Sequence, residues 1–146
     1  MKKMLLVSMF QNVSKLVKVI EPNLKGKSVT YIPTASTVEK LGFFVNIGKW
    51  QLKRLGLHVD QLDISTASCE TMQSTLAKNE FIYITGGNTF YLLQELKRTG
   101  ADQLIVQEVN RGKIYIGESA GAIVAAPDIA YAAAMDHVEK APGLHD

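Results

Sequence analysis

The chain has 146 residues, of which 47% are hydrophobic and 21% are charged, and its net charge is +2. This composition is typical of one folded globular domain and excludes global disorder. The small charge, carried by scattered lysines, argues against nucleic-acid and anionic-membrane partners, and no stretch reaches the roughly twenty apolar residues of a membrane span. Cys69 is the only cysteine, so an internal disulfide is impossible and a reducing compartment is indicated.

Short apolar runs alternate with longer helical patterns along the whole chain. The apolar runs predict strands over residues 3–9, 28–33, 58–63, 81–85 and 113–116. The helical patterns cover residues 12–20, 38–55, 69–78, 89–98 and 103–110. This order is typical of βαβ units on a parallel sheet, so we predict one α/β domain over residues 1–146.

The helix predicted over residues 38–55 has two apolar stripes. One includes Leu52, and the other, on nearly the opposite side, consists of Phe43, Ile47 and Trp50. A sheet in a small α/β domain buries one face of a helix. The second stripe therefore predicts either a homo-oligomer or coverage by a loop of the same chain.

The stretch KIYIGESAGAIVAA, residues 113–126, carries the main chemical motif. An apolar strand ends at GESAG and a helix of small residues follows, which fits the G-x-S-x-G nucleophile elbow with Ser119 as the nucleophile. The flanking glycines allow the backbones on either side of the turn to approach closely. The free N–H groups at the start of the following helix, beginning at Ala120, favour a negative charge beside the serine. The alternative is an ordinary βα turn in which Ser119 caps the helix.

A second motif is TGGNTF, residues 85–90, which follows a predicted strand and opens a helix. Two glycines let the backbone approach a ligand, and Asn88 or Thr89 can cap the helix. A phosphate loop is one interpretation, although the Lys of a P-loop and the spacing of a dinucleotide motif are missing. In the other, this turn lies beside Ser119, because carboxyl ends of adjacent parallel strands open at one edge. The N–H groups of Gly87 and Ala120 would then converge on one oxygen.

A third strand end, YIPTAS at residues 31–36, is predicted at the same edge of the sheet. Its small polar residues either line the crevice or cap the next helix, and for Ser36 we favour the cap.

Together, IPTAS, GGNTFYLLQEL, YIGESAGAI and APDIAY resemble the peptidase E family of serine peptidases, which includes aspartyl dipeptidases and cyanophycinases. The resemblance extends over essentially the whole chain. It implies a three-layer α/β sandwich with a mainly parallel sheet, akin to class I glutamine amidotransferases and flavodoxin-like proteins. It also implies a cytoplasmic enzyme with a serine nucleophile and a histidine base. We expect no cofactor and no metal.

The resemblance also assigns roles to single residues. Ser119 matches the nucleophile, and the amides of Gly87 and Ala120 match the oxyanion donors. Asn88, together with Gly86, lies in the turn that matches the substrate side. The implied reaction is acyl transfer from a peptide through Ser119.

The sequence leaves the roles of other residues near the predicted site open. Glu118, beside the nucleophile, is a candidate substrate-binding residue or a solvated or salt-bridged carboxylate. His58 begins a strand at the opposite edge, whereas His137 and His145 lie in the tail and are the candidate bases. The family's histidine follows a later strand, so we expect a C-terminally truncated form that is inactive if neither tail histidine reaches Ser119.

The resemblance implies a peptide substrate with an N-terminal acidic residue. No arginine stands close to the motifs to bind such a residue. The alternative function is a non-catalytic, flavodoxin-like module that binds an anion or small ligand through the Gly86–Gly87 turn and the elbow helix. Such a module would tolerate Ser119→Ala, whereas the enzyme would not.

Overall fold

The computed structural model describes residues 3–7, 14–38 and 42–125, without the side chains of residues 14 and 42–45. The strands are β1 (Lys3–Val7), β2 (Ser28–Ile32), β3 (His58–Gln61), β4 (Phe81–Ile84) and β5 (Ile114–Glu118). The helices are α1 (Val17–Ile20), α2 (Gly42–Arg54), α3 (Cys69–Lys78), α4 (Thr89–Thr99), α5 (Ala101–Asn110) and α6 (Ala120–Ile123), with short 3-10 helices at Ser14–Leu16 and Thr34–Ser36.

Each predicted strand and helix is present, with ends that differ by a few residues. The predicted end of β1 at Met9 and the predicted helix start at Asn12 lie outside the described residues, as do residues 39–41 ahead of α2. None of the helices in the described part of the chain has the length and hydropathy of a membrane span.

The five strands form one sheet in the order β1-β5-β4-β2-β3, and every pairing is parallel. The prediction of a parallel α/β sheet is therefore confirmed. Because all strands run the same way, the turns that follow them lie at one edge. In the centre of the sheet, Ile84 at the end of β4 pairs with Gly117 near the end of β5. The two predicted glycine motifs follow these neighbouring strands.

Helices cover both faces of the sheet. On one face, Val17 of α1 and Leu52 of α2 join a buried cluster with the strands. On the other face, Met72, Leu92 and Ile105 bring α3, α4 and α5 into a second cluster. Because both faces are buried, the central strands are nearly continuous apolar runs in the sequence. The architecture is the predicted three-layer sandwich.

Only part of the second apolar stripe of α2 lies within the described residues. Trp50 is 53% exposed, and the guanidinium of Arg54 lies 4.6 Å from its ring centre. Ile47 is half-buried, and the Phe43 side chain is outside the described residues. The homo-oligomer inferred from this stripe stays a prediction.

Candidate active site

The candidate site is built around Ser119, between the end of β5 and the start of α6. Ser119 has φ +50° and ψ −105°, and it is the only non-glycine residue with positive φ within the described ranges. Such a backbone costs of order 1–3 kcal/mol for a residue with a side chain, and it persists at sites whose surroundings enforce it. The side chain is exposed. This is the sharp strand-to-helix turn predicted from GESAG.

The two glycines of the motif have the steric role predicted for them. A Cβ at Gly117 would overlap the carbonyl of Gly121, and a Cβ at Gly121 would overlap the carbonyl of Ile84. The backbone of α6 is therefore pressed against both β5 and β4. Any larger residue would push the helix away and change the position of Ser119.

Ser119 occupies the N-cap position of α6, but its side chain makes no capping hydrogen bond. Its carbonyl accepts the N–H groups of Ala122 and Ile123 at 2.9 Å, and its own N–H donates to Val7 at 2.7 Å. The backbone of Ser119 is thus fixed on both sides. The alternative of an ordinary serine cap is wrong for the hydroxyl, which points into the exposed edge instead.

The Gly86–Gly87 turn lies directly beside the serine. A Cβ built at Gly86 would lie 3.3 Å from Ser119 Cβ and 3.9 Å from Ser119 Oγ. The predicted adjacency of the two glycine turns is therefore found. Within the described residues, the N–H groups of Gly87 and Ala120 donate no backbone hydrogen bond. The convergence of these two N–H groups on one oxygen stays a prediction.

Asn88 is fully buried, and its side chain has a structural role. Its Oδ1 accepts the Tyr91 N–H at 2.9 Å and so caps α4, as predicted. Its own N–H donates to the Ala35 carbonyl at 2.8 Å, which joins the turn after β2 to the turn after β4. Substrate binding by Asn88 stays a prediction. The Ser36 hydroxyl donates to the Pro33 carbonyl at 2.7 Å. The cap expected from Ser36 stays a prediction, because residues 39–41 ahead of α2 lie outside the described residues.

Glu118, the last residue of β5, is half-buried and belongs to a cluster with two tyrosines. The Tyr83 hydroxyl donates to Glu118 Oε1 at 3.0 Å. The rings of Tyr83 and Tyr31 stack with centres 5.0 Å apart. Burial, with the nearby Glu118 carboxylate, raises the pKa of both tyrosine hydroxyls well above their usual value, so both stay protonated donors.

Sequence reasoning did not single out these tyrosines. The available signal was their position. Each tyrosine stands third from the end of its predicted strand, 28–33 or 81–85, and the observed register pairs Tyr31 with Tyr83. Side chains at paired positions point to the same face.

The base is not found among the described residues. His58, the one histidine within them, is exposed and begins β3 at the opposite edge of the sheet, as predicted. His137 and His145 lie outside the described residues. Over residues 3–7, 14–38 and 42–125, no group of three or more His, Cys, Asp and Glu residues is arranged to hold a metal ion.

Comparisons with known proteins identify the family of this chain. Residues 4–146 match the model of peptidase family S51. A protein of Listeria innocua named as an uncharacterized peptidase is 56% identical over 144 residues, which are 99% of this chain and 69% of that protein. Peptidase E of Salmonella arizonae is 35% identical over 103 residues, 70% of this chain and 43% of the relative.

A crystal structure of a Listeria monocytogenes protein assigned to peptidase E superposes on the whole chain with a TM-score of 0.97 and 55% identity. The superposition covers 72% of that protein. The fold, the serine turn and these relatives define an α/β enzyme of the peptidase class. The chain belongs to peptidase family S51. The alternative of a non-catalytic binding module is not favoured, because the relatives that match are named peptidases.

Proposed function

We propose that the chain is a serine-type, dipeptidase-like peptidase that uses Ser119 as its acyl-forming nucleophile. The observation that carries this proposal is the exposed Ser119, held at φ +50° beside the Gly86–Gly87 turn. The backbone of Ser119 is strained, and its hydroxyl makes no capping hydrogen bond. The hydroxyl is therefore able to act as a nucleophile.

The reaction follows from these positions. Ser119 Oγ attacks the carbonyl carbon of a peptide bond while a base takes its proton, and the carbonyl oxygen becomes an oxyanion. The N–H groups of Gly87 and Ala120 hold the oxyanion. The C–N bond then breaks, the base returns the proton to the leaving amine, and water releases the acyl group in the same way. Losing one such donor typically costs about 10² to 10³ in rate.

The base in this proposal is a histidine, with His137 and His145 as the candidates in this sequence. The substrate is a peptide, and the location implied by the family is the cytoplasm. The resemblance also implies a preference for an N-terminal acidic residue. None of the site residues described above is a lysine or arginine that would bind an acidic side chain.

Intact-mass spectrometry after incubation with a fluorophosphonate tests the nucleophile. We expect a single adduct on the wild-type chain and no adduct on Ser119→Ala. Ser74→Ala is the matched control, because Ser74 is an exposed serine on α3. This control should label as the wild type does.

Circular dichroism must show that each variant is folded. A folded wild-type chain that takes up no label would contradict an activated Ser119. Labelling of Ser119→Ala at the wild-type rate would assign the nucleophile to another residue. Both results are obtained with the chain of 146 residues.

A further inference from the structure

Tyr115 of β5 is a buried residue beside the serine turn that has no role in the chemistry described above. Its side chain is 4% exposed, and its hydroxyl donates a hydrogen bond to the Gly121 carbonyl at 2.5 Å. Burial raises the pKa of this hydroxyl well above its usual value, so the group stays protonated. One end of the hydrogen bond therefore lies in the sheet, and the other lies in α6, two residues after Ser119.

Gly117 makes room for this contact. Tyr115 and Gly117 are two positions apart in β5, so they lie on the same face of the sheet. A Cβ at Gly117 would lie 2.8 Å from Tyr115 Cε1, and it would also overlap the carbonyl of Gly121. The absence of a Cβ thus lets the Tyr115 ring and the Gly121 carbonyl come together under the serine turn.

The helix that this hydrogen bond reaches is too short to hold its own position. Helix α6 contains four residues, and a single helical turn is not stable without contacts to the rest of the protein. In a longer α-helix the Gly121 carbonyl would accept the N–H of Ala125, but that N–H donates to the Ala122 carbonyl at 3.2 Å. The Tyr115 hydroxyl thus supplies a buried carbonyl with a donor that the helix itself does not provide.

We propose that Tyr115 is a positioning residue for the serine turn, because its hydroxyl fixes α6 against β5. The inference rests on the proposed function, since it concerns the reactivity of the same serine. Ser119 joins β5 to α6, so a helix that shifts or tilts moves both the Ser119 hydroxyl and the Ala120 N–H. A displacement of about 1 Å in such groups can lower a rate by about 10²-fold. Tyr115 acts through α6 and does not touch the substrate.

Tyr115→Phe removes the hydroxyl and keeps the ring. We expect the second-order rate constant for fluorophosphonate labelling of Ser119 to fall by about 10- to 100-fold, because the serine and the oxyanion donor lose their fixed position. Tyr115→4-aminophenylalanine restores a hydrogen-bond donor at the same place on the ring. This variant should recover most of the lost rate.

Thr30→Val is the matched control for a general loss of stability. The Thr30 hydroxyl is buried, donates to the Thr75 carbonyl at 3.2 Å and accepts from Asn79 Nδ2 at 2.9 Å. These partners precede β4, at the edge of the sheet opposite Ser119. Thr30→Val should unfold at a lower urea concentration than the wild type, as Tyr115→Phe does, and yet label within about twofold of the wild-type rate.

Amide hydrogen exchange followed by NMR tests the anchor without any chemistry at Ser119. The N–H groups of Ala122 and Ile123 donate to the Ser119 carbonyl at 2.9 Å, so their exchange reports local opening of α6. In Tyr115→Phe we expect both to exchange at least about tenfold faster than in the wild type. In Thr30→Val both should stay within about threefold of the wild-type rate.

Labelling of Tyr115→Phe at the wild-type rate, or an equal loss of rate in Thr30→Val, would overturn the proposal. Failure of 4-aminophenylalanine to restore the rate would also overturn it, as would unchanged exchange of the Ala122 and Ile123 amides in Tyr115→Phe. If the wild-type chain takes up no label, the proposed nucleophile fails. The exchange rates then decide by themselves whether Tyr115 anchors the serine turn.

Discussion

Single positions at the carboxyl edge of the sheet determine where the serine lies. Ser119 adopts an unfavourable backbone because its N–H, its carbonyl and the close contact between Gly117 and Gly121 leave no alternative. Gly87 is equally constrained, with φ +139° and its α-carbon against the Ala35 carbonyl. Glycine is required at these positions because a Cβ would overlap neighbouring backbone atoms. Backbone atoms cannot move aside as a flexible side chain can.

Gly87→Ala tests this constraint. The added Cβ would overlap the backbone of Ala35 and Ser36, so we expect a loss of about 2–4 kcal/mol in the free energy of unfolding. Gly100→Ala is the control, because Gly100 has φ +77° but nothing within 4 Å of the added Cβ. It should cost only about 1–2 kcal/mol. Urea denaturation measures both, and equal losses would mean that the overlap with Ala35 is relieved without cost.

At the scale of single elements, helix α4 connects the Gly86–Gly87 turn with the loop that follows β3. It begins at the Asn88 cap and ends near Arg98, whose Nη2 donates to the Ser65 carbonyl in the loop after β3 at 2.9 Å. The same guanidinium pairs with Glu95 at 2.7 Å, and Glu95 is almost completely buried. The hydrogen bond from Arg98 to Ser65 joins the C-terminal half of α4 to that loop, and the ion pair with Glu95 holds the guanidinium in position.

The Glu95 pair predicts a pH dependence of stability. Hydrogen bonding to Arg98 holds the pKa of Glu95 below the usual range of a glutamate, so the contribution of the pair to stability is fully present at neutral pH. It is lost as the pH falls through the lower folded-state pKa. We expect Glu95→Gln to cost about 1–3 kcal/mol at pH 7 and less at acid pH.

Urea denaturation from pH 7 to pH 3 measures this difference, with Arg98→Met as the matched variant that removes the other partner. Both variants should lose less stability than the wild type on acidification. Parallel profiles for all three proteins would contradict a role for the pair in acid stability.

At the scale of the whole molecule, the edge of the sheet at β1 exposes apolar side chains. Within the described residues β1 pairs only with β5. Met4 is 42% exposed, Leu6 48%, and Val106 of α5 55%. Met4 and Val106 line a groove of about 320 Å³. An edge strand with exposed apolar side chains is able to pair with a second chain.

We therefore expect concentration-dependent self-association of this chain through β1. A charged side chain at the edge opposes such pairing, so Leu6→Lys should shift the protein towards monomer. Trp50→Lys, on the outer face of α2, is the control for the other candidate surface. Sedimentation velocity at micromolar concentrations distinguishes the two. A monomer throughout would contradict self-association, and a shift only in Trp50→Lys would place the contact on α2.

The sequence by itself determined the secondary structure and the location of the serine turn. The strands alternate with helices because both faces of a parallel sheet are covered, which leaves continuous apolar runs such as FIYI in β4. The elbow was recognisable because only glycine fits at Gly117 and Gly121. This steric requirement is visible in the sequence as two glycines at fixed spacing around Ser119. The Asn88 cap was also predictable, because capping acts over three residues.

Only the tertiary structure decided how distant segments meet. Apolar periodicity does not specify the order of the strands in the sheet. The observed order β5-β4-β2 places Tyr83 beside Glu118 and Tyr31 beside Tyr83. The same packing buried Glu95 and brought the Arg98 guanidinium to the Ser65 carbonyl in the loop after β3. These contacts depend on the register between strands and on helix packing, which are set by the fit of the whole core. The sequence therefore located the serine turn, and the fold determined which distant side chains lie around it.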